Sequence, residues 1–377
     1  MAFGRFPIFE GAKPLIGSVV GVGIFGLPFA INQAGSALGF LVLLAIGGLN
    51  MVTLLAYGDL LLARSGHGRF ISVVEHELGL PGKVLATIAF FGSLWGAMVA
   101  YIVLGGTFIF DALHNVIPVG IVVWQSLFFM VAATLLIGGL SLVTRLQSIL
   151  IPVFALLLAL LVGFAAPHLD VANITFTSMN NPWLIPSVAL FAFSGLAAVP
   201  EMRDVLDREK RKLPKSIMLG TALIAAVYLI FSAAIIGVTG KGTTTEAIEG
   251  LRGIDGGAIV VVGFAIGAFT AFTAFLSVGT AVMNTLIFDF KRPILIAWTV
   301  AALTPFLIFL IGARDFINIL SFTGGILTSL YAILILLSYE RARFSGELAK
   351  HALRLPQVLI ATAFFMYVAV MVMTVVG

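Results

Sequence analysis

The stretch Ser18-Val19-Val20-Gly21-Val22-Gly23-Ile24-Phe25-Gly26-Leu27-Pro28 interrupts what would otherwise be the first long apolar helix of the chain. It places Gly21, Gly23 and Gly26 within six residues and follows them with Pro28. Each interior glycine costs a helix roughly 1 kcal/mol and an interior proline about 3 kcal/mol. Irregular backbone inside a membrane is tolerated only where it is buried in protein or lines a water-filled cavity. Two readings follow. Either the helix is broken and its free N–H and C=O groups bind a ligand, or the small residues form a close-packing face.

A second stretch bears on the choice. Leu190-Phe191-Ala192-Phe193-Ser194-Gly195-Leu196-Ala197-Ala198-Val199-Pro200-Glu201 again has a glycine inside an apolar run and a proline soon after. Moving outward, the charge-free runs are 14–58, 84–110, 112–144, 146–169, 171–200, 216–240, 256–288, 293–313, 316–339 and 355–377. A membrane-spanning helix needs about 20 apolar residues. The first run is long enough for two helices, parted at Asn32-Gln33-Ala34-Gly35-Ser36, and the others hold one each. In 171–200 the helix starts near Trp183, after a polar loop from Asn173 to Asn181. The expectation is an all-α membrane protein of eleven spans. The two interrupted segments are then spans 1 and 6, at matching positions of two five-span halves. An odd number of spans per half gives the halves opposite topology, and paired interruptions of this kind point to a transporter binding site.

Composition agrees. Of 377 residues, 60% are hydrophobic and 10% charged, against about 25% charged in soluble domains. The 40 glycines suit transmembrane helices. There is no cysteine, so disulfides and thiolate metal sites are excluded. The net charge of +4 requires no nucleic acid, since cytoplasmic loops of membrane proteins collect Lys and Arg. The alternation of spans puts all the basic residues except Lys241, Arg252 and Arg314 on one side, which predicts a cytoplasmic N-terminus and an extracytoplasmic C-terminus. No cleavable signal peptide is expected, and the short tails favour a prokaryotic inner membrane. The organisation read from the chain is 1–166 for a tail and spans 1–5, 183–339 for spans 6–10, and 355–377 for an extra helix.

Gly21-Val22-Gly23-Ile24-Phe25-Gly26-Leu27-Pro28-Phe29-Ala30, with Gln33-Ala34-Gly35, resembles the first helix of the amino-acid/auxin permease family, within the amino acid–polyamine–organocation superfamily. Gly96-Ala97-Met98-Val99-Ala100-Tyr101-Ile102 is similar to its third helix, and Phe191 to Glu201 to its sixth. Phe322 to Ser329 resembles its tenth, without the usual proline. The resemblance covers nearly the whole chain. It implies a LeuT-type fold of five helices plus five inverted, one extra helix, broken helices 1 and 6, and neutral amino-acid transport coupled to sodium or protons.

The chemistry supports the same expectation. An amino acid brings a carboxylate and an ammonium into the bilayer, and both need partners. The N–H groups of Gly21, Val22 and Gly23 open the second half-helix and suit the carboxylate. Carbonyls at Val19 or Val20, and at Phe191 and Ser194 beside Gly195, suit the ammonium. Phe25, Phe191, Phe193 and Val22 make an apolar pocket with no acid or base, which argues for a neutral side chain. Tyr101 is a candidate gate, although most transmembrane tyrosines are packed or interfacial. For sodium, Thr270, Thr273 and Ser277 share one helix face, and carbonyls of Ile16 and Val19 would complete a site; the residue after Thr273 is Ala274 rather than the hydroxyl frequent in sodium-dependent relatives. For protons, Asp59 is the acid to weigh, with Glu201 and Asp289 read as interfacial charges. The histidines are scattered over loops and make no metal site. Asn173-Ile174-Thr175 matches a glycosylation sequon. No nucleophile–base cluster, phosphate loop or redox motif is present, so an enzyme is not expected and no cofactor beyond the coupling ion is needed. The expected partners are a neutral amino acid and the lipid bilayer. An amino-acid sensor of the same fold, binding without net flux, is the alternative.

Overall fold

The computed structural model describes residues 7–63, 69–138, 152–153, 155–156, 158–163, 165–174, 180–252, 258–348 and 353–376, and among them there are helices and turns but no strand. The elements are α1 (Pro7–Val19), α2 (Gly23–Gln33), α3 (Ser36–Ala63), α4 (Phe70–Leu113), α5 (Ile121–Leu136), α6 (Leu184–Ala192), α7 (Ala198–Leu206), α8 (Leu213–Thr239), α9 (Ala258–Phe288), α10 (Ile294–Leu310), α11 (Phe316–Phe322), α12 (Ser329–Phe344) and α13 (Gln357–Val376). Further helical residues lie at 158–163. A π-helical segment, Thr323–Thr328, joins α11 to α12.

Six stretches are long and apolar enough to cross a membrane: α3, α4, the run Ala198–Gly242, α9, the run Phe316–Phe344, and α13. The pair α1 and α2 qualifies jointly, bent by 70°. Exposed large apolar side chains such as Leu41, Val123, Ile294 and Phe365 fit a lipid-facing surface. Part of the expected fifth span falls outside the described residues. So do Arg5, Arg64, Arg145, Lys350, His67, His351 and Thr175 of the sequon. Asn173 is described, and its side-chain amide donates to the Gly237 carbonyl at 3.1 Å.

The charged stretch around Glu75, Glu77 and Lys83 falls between the charge-free runs 14–58 and 84–110, yet the chain is helical from Phe70 onward. Gly79 makes this possible. Its φ of 71° with Pro81 behind it bends α4, so a short approach helix precedes the spanning part. Small residues elsewhere let helices approach closely. Gly267 of α9 lies under the Phe108 ring of α4, and Gly220 of α8 lies against Leu15 of α1.

The lead-in to α13 is held from two sides. Asp59 of α3 is fully buried and accepts from the Leu353 N–H at 3.1 Å. The Leu355 N–H donates to the Tyr339 hydroxyl at 3.0 Å. Asp59 thus sits nine residues beyond Asn50 on α3, about 14 Å along the axis at 1.5 Å per residue, where it ties down a chain segment.

Candidate functional site

Regular helix stops at Val19, where the Val20 N–H still bonds to the Ile16 carbonyl at 2.9 Å. It resumes with Ile24 N–H to the Gly21 carbonyl at 3.3 Å and Phe25 N–H to the Val22 carbonyl at 3.1 Å. The N–H groups of Gly21, Val22 and Gly23 therefore stand at the open, positive end of α2. The second interruption spans 193–197. There Phe193 N–H reaches the Ala189 carbonyl at 2.9 Å, and α7 starts with Ala198 N–H to the Gly195 carbonyl at 3.1 Å.

Helix C-termini leave carbonyls without partners, and two polar side chains, Asn50 and Tyr228, answer them here. The Asn50 amide donates to the Phe193 carbonyl at 2.9 Å. The Tyr228 hydroxyl lies 2.9 Å from the Val19 carbonyl and 2.7 Å from the Ala192 carbonyl, so one group of α8 bridges both interruptions. The Tyr331 hydroxyl donates to Ser194 Oγ at 3.2 Å. Asn50 continues outward through the Tyr367 hydroxyl at 3.5 Å, which itself lies 2.9 Å from Thr53 Oγ1. Replacing Asn50 by alanine leaves the buried Phe193 carbonyl unpaired. The expected cost is about 1–3 kcal/mol, read as a lower melting temperature of the purified protein in detergent.

Between the interruptions lies a cavity of about 60 Å³. From the first helix pair its wall takes Ser18, Val19, Gly21, Val22 and Gly23. From the second it takes Phe191, Ala192, Ser194, Leu196 and Ala197. Ser93 and Tyr101 of α4, Val278 of α9, Thr323 and Tyr331 close it, and among the described residues no Asp, Glu, Lys, Arg or His lines it. A second cavity of about 90 Å³ adjoins it across Phe90, Leu196 and Ala197. That one is charged, with Arg69, Glu201 and Asp204 in its wall beside Ser277 and Asn284.

The expected residues divide accordingly. Val19, Gly21, Val22, Gly23, Tyr101, Phe191 and Ser194 line the first cavity. Val20 is buried but is not part of that wall. Phe25 points elsewhere, its ring edge-on to Phe108 at 5.1 Å and to Phe231 at 5.7 Å. The Phe193 ring packs on Tyr228 at 5.2 Å, and Gly195 lies against Leu15 and Val19. Phe25, Phe193 and Gly195 thus stand behind the cavity rather than in it.

The oxygens considered for sodium are largely engaged. Ile16 holds a helical bond, Val19 receives Tyr228, and the Thr273 hydroxyl lies 3.0 Å from the Thr270 carbonyl of its own helix. Thr270 Oγ1 is buried without a hydrogen-bond partner, and Ser277 faces the second cavity. Ala274 is the side chain opposite Gly21, 3.8 Å from the point a Cβ there would occupy. Two arrangements were not legible in the sequence. One is Tyr228 and Asn50, whose signal is a polar side chain in an apolar span. The other gathers His76, Glu77 and Glu347, with ligand atoms within 4.8 Å of one another, although their spacing suggested no cluster.

The family model described as the tryptophan/tyrosine permease family matches residues 6–375. The chain is 25% identical over 367 residues to tyrosine-specific transport system 2 of Haemophilus influenzae, covering 88% of this chain and 86% of that one. It is 23% identical over 219 residues to tyrosine-specific transport system 1 of the same organism, covering 57% of this chain and 54% of that one, so this alignment spans about half the relative's length. Among solved structures, MhsT in complex with L-phenylalanine superposes with a TM-score of 0.73 at 15% identity, covering 99% of both chains. The fold is therefore the LeuT-like one, and the family is one of permeases, not enzymes.

Proposed function

The chain belongs to the tryptophan/tyrosine permease family, and we propose that it is a secondary active transporter importing neutral amino acids, aromatic ones foremost, by symport with a cation, H+ or Na+. This family differs in name from the amino-acid/auxin permeases that the first-helix motif resembles; both readings are of amino-acid transporters. The observation that carries the proposal is the uncharged cavity walled by both helix interruptions. The open N-terminal end of α2 suits a carboxylate, the carbonyl ends of α1 and α6 suit an ammonium, and Phe191, Tyr101 and Tyr331 suit an aromatic side chain. That relatives are described as tyrosine-specific transport systems supports the aromatic class.

The proposed architecture is eleven spans, with α1–α2 and α6–α7 as broken spans 1 and 6 of two inverted five-span halves and α13 as the extra helix. With the N-terminus cytoplasmic, the charged second cavity lies on the cytoplasmic side of the first and forms a release route. In the alternating-access cycle, the cavity opens to one side and then to the other.

Protons are favoured as the coupling ion. Ala274 replaces a hydroxyl opposite Gly21, and Thr273 satisfies itself on its own helix. Glu201, in the wall of the second cavity, is better placed than Asp59 to meet the substrate route. The test is uptake of a radiolabelled neutral amino-acid mixture by proteoliposomes under an imposed pH gradient or an imposed sodium gradient. The expected result is accumulation above equilibrium with the pH gradient. Accumulation driven by sodium alone reverses the choice of ion and returns attention to Thr270. Binding without flux under either gradient replaces transport by the sensor reading.

A further inference from the structure

We infer that Tyr228 is a specificity-determining positioning residue, whose hydroxyl holds the Val19 and Ala192 carbonyls as a pair that reads the ammonium group of the substrate. The inference rests on the amino-acid transporter reading and names a residue outside the cavity wall that shapes it. Tyr228 is fully buried in α8, with its ring fixed against Phe193. Its hydroxyl lies 2.9 Å from one carbonyl and 2.7 Å from the other. Val19 and Ala192 are the last residues of α1 and α6, and both line the cavity.

The count of donors makes the arrangement informative. A tyrosine hydroxyl carries a single proton, and two carbonyl oxygens converge on it. The set is one donor short, at the wall of an otherwise uncharged cavity. Two carbonyl oxygens converging on one hydroxyl repel each other in a low-dielectric interior, and the shared proton is what keeps them there. An ammonium brings three N–H donors and positive charge, so it supplies what the pair lacks. A ligand without the ammonium does not. Removing the hydroxyl leaves the carbonyls free to separate, and the ammonium loses a two-point acceptor.

The test uses purified full-length protein and competition against radiolabelled L-tyrosine. The competitors are L-tyrosine and 3-(4-hydroxyphenyl)propionate, which is the same molecule without the ammonium. For Tyr228→Phe the affinity ratio of the two is expected to fall by about tenfold, the effect of one well-placed charge-assisted bond. The loss falls on the amino acid and leaves the propionate unchanged. Tyr339→Phe serves as the control, since its buried hydroxyl accepts from the Leu355 N–H at the lead-in to α13, away from both interruptions, and the ratio should hold there. Incorporation of 4-aminophenylalanine at 228, whose amine carries two N–H donors and so supplies both carbonyls, should lower the ratio as well and covers the case in which Tyr228→Phe does not fold. Loss of affinity for both competitors in proportion, or an equal fall in Tyr339→Phe, overturns the inference alone. An unchanged ratio in the 4-aminophenylalanine protein does so too. Absence of amino-acid binding by the wild type overturns the transport reading and this inference together.

Discussion

Gly23→Val is expected to abolish substrate binding, a loss on the order of a hundredfold or more, equivalent to about 3 kcal/mol, while the protein still folds. A Cβ on Gly23 would stand 2.8 Å from Ala192 Cα, 3.1 Å from Ala192 Cβ and 3.2 Å from Phe191 Cδ1. The nearest of these is a main-chain atom and cannot rotate away. Valine adds two methyl groups beyond that point, so the two interruptions are forced apart at the place where the cavity needs both. Overpacking of this kind usually costs about 1–3 kcal/mol of stability, which a polytopic bundle can tolerate. Gly21→Ala is the contrast. Its Cβ would meet Ala274 Cβ at 3.8 Å and the Val19 carbonyl at 3.9 Å, which are ordinary contacts. That variant should melt like the wild type and retain binding. Equilibrium binding of radiolabelled amino acid to the two purified variants, with size-exclusion profiles as the folding check, decides between them. Normal binding by Gly23→Val would remove the interruptions from the site.

The second large effect is expected at Gly324, in the π-helical segment. A Cβ there would collide with the Ser187 carbonyl oxygen, and it would lie 2.7 Å from the Phe191 backbone nitrogen and 3.0 Å from Phe191 Cβ. All of these belong to α6, directly before its interruption, while the neighbouring Thr323 lines the cavity. Gly324→Ala should therefore destabilise the protein by about 3 kcal/mol, at the upper end for overpacking, and displace Phe191 as well. The paired residue Gly325 faces α13, where a Cβ would lie 2.8 Å from Thr374 Cβ, an atom that no side-chain rotation moves, so Gly325→Ala should cost a similar amount. Melting temperatures of the two variants in the same detergent test this. An unchanged melting temperature for Gly324→Ala would show that α6 and the π segment are not locked together.

What the sequence disclosed was the pair of interruptions, because glycine and proline act on the backbone itself and their cost does not depend on neighbours. The side-chain wall was only partly legible. Val22 and Phe25 lie three residues apart on one apolar stretch, yet Val22 meets the cavity while Phe25 turns toward Phe108 and Phe231. Composition near a break does not give the phase of the helix that follows it. Thr270, Thr273 and Ser277 share a face by spacing, but spacing does not say which neighbour that face meets; Ser277 meets the charged cavity and Thr273 meets its own backbone. Asp59 reads as an isolated membrane acid, and the segment it holds is nearly three hundred residues further along the chain. Tyr228 shows in the sequence only as a polar side chain in an apolar span, and its two acceptors, being main-chain atoms, leave no mark there. The approach helix before Gly79 was hidden by its charges, which mark it as lying outside the apolar layer without excluding a helix.

The most direct test of the binding site is an experimental structure of the protein determined in the presence of saturating L-tyrosine. The account predicts one ligand between the two interruptions, its carboxylate at the N–H groups of Gly21, Val22 and Gly23 and its ammonium at the carbonyls of Val19 and Ala192. A ligand bound elsewhere, with the cavity between α1–α2 and α6–α7 closed by side chains, would contradict it.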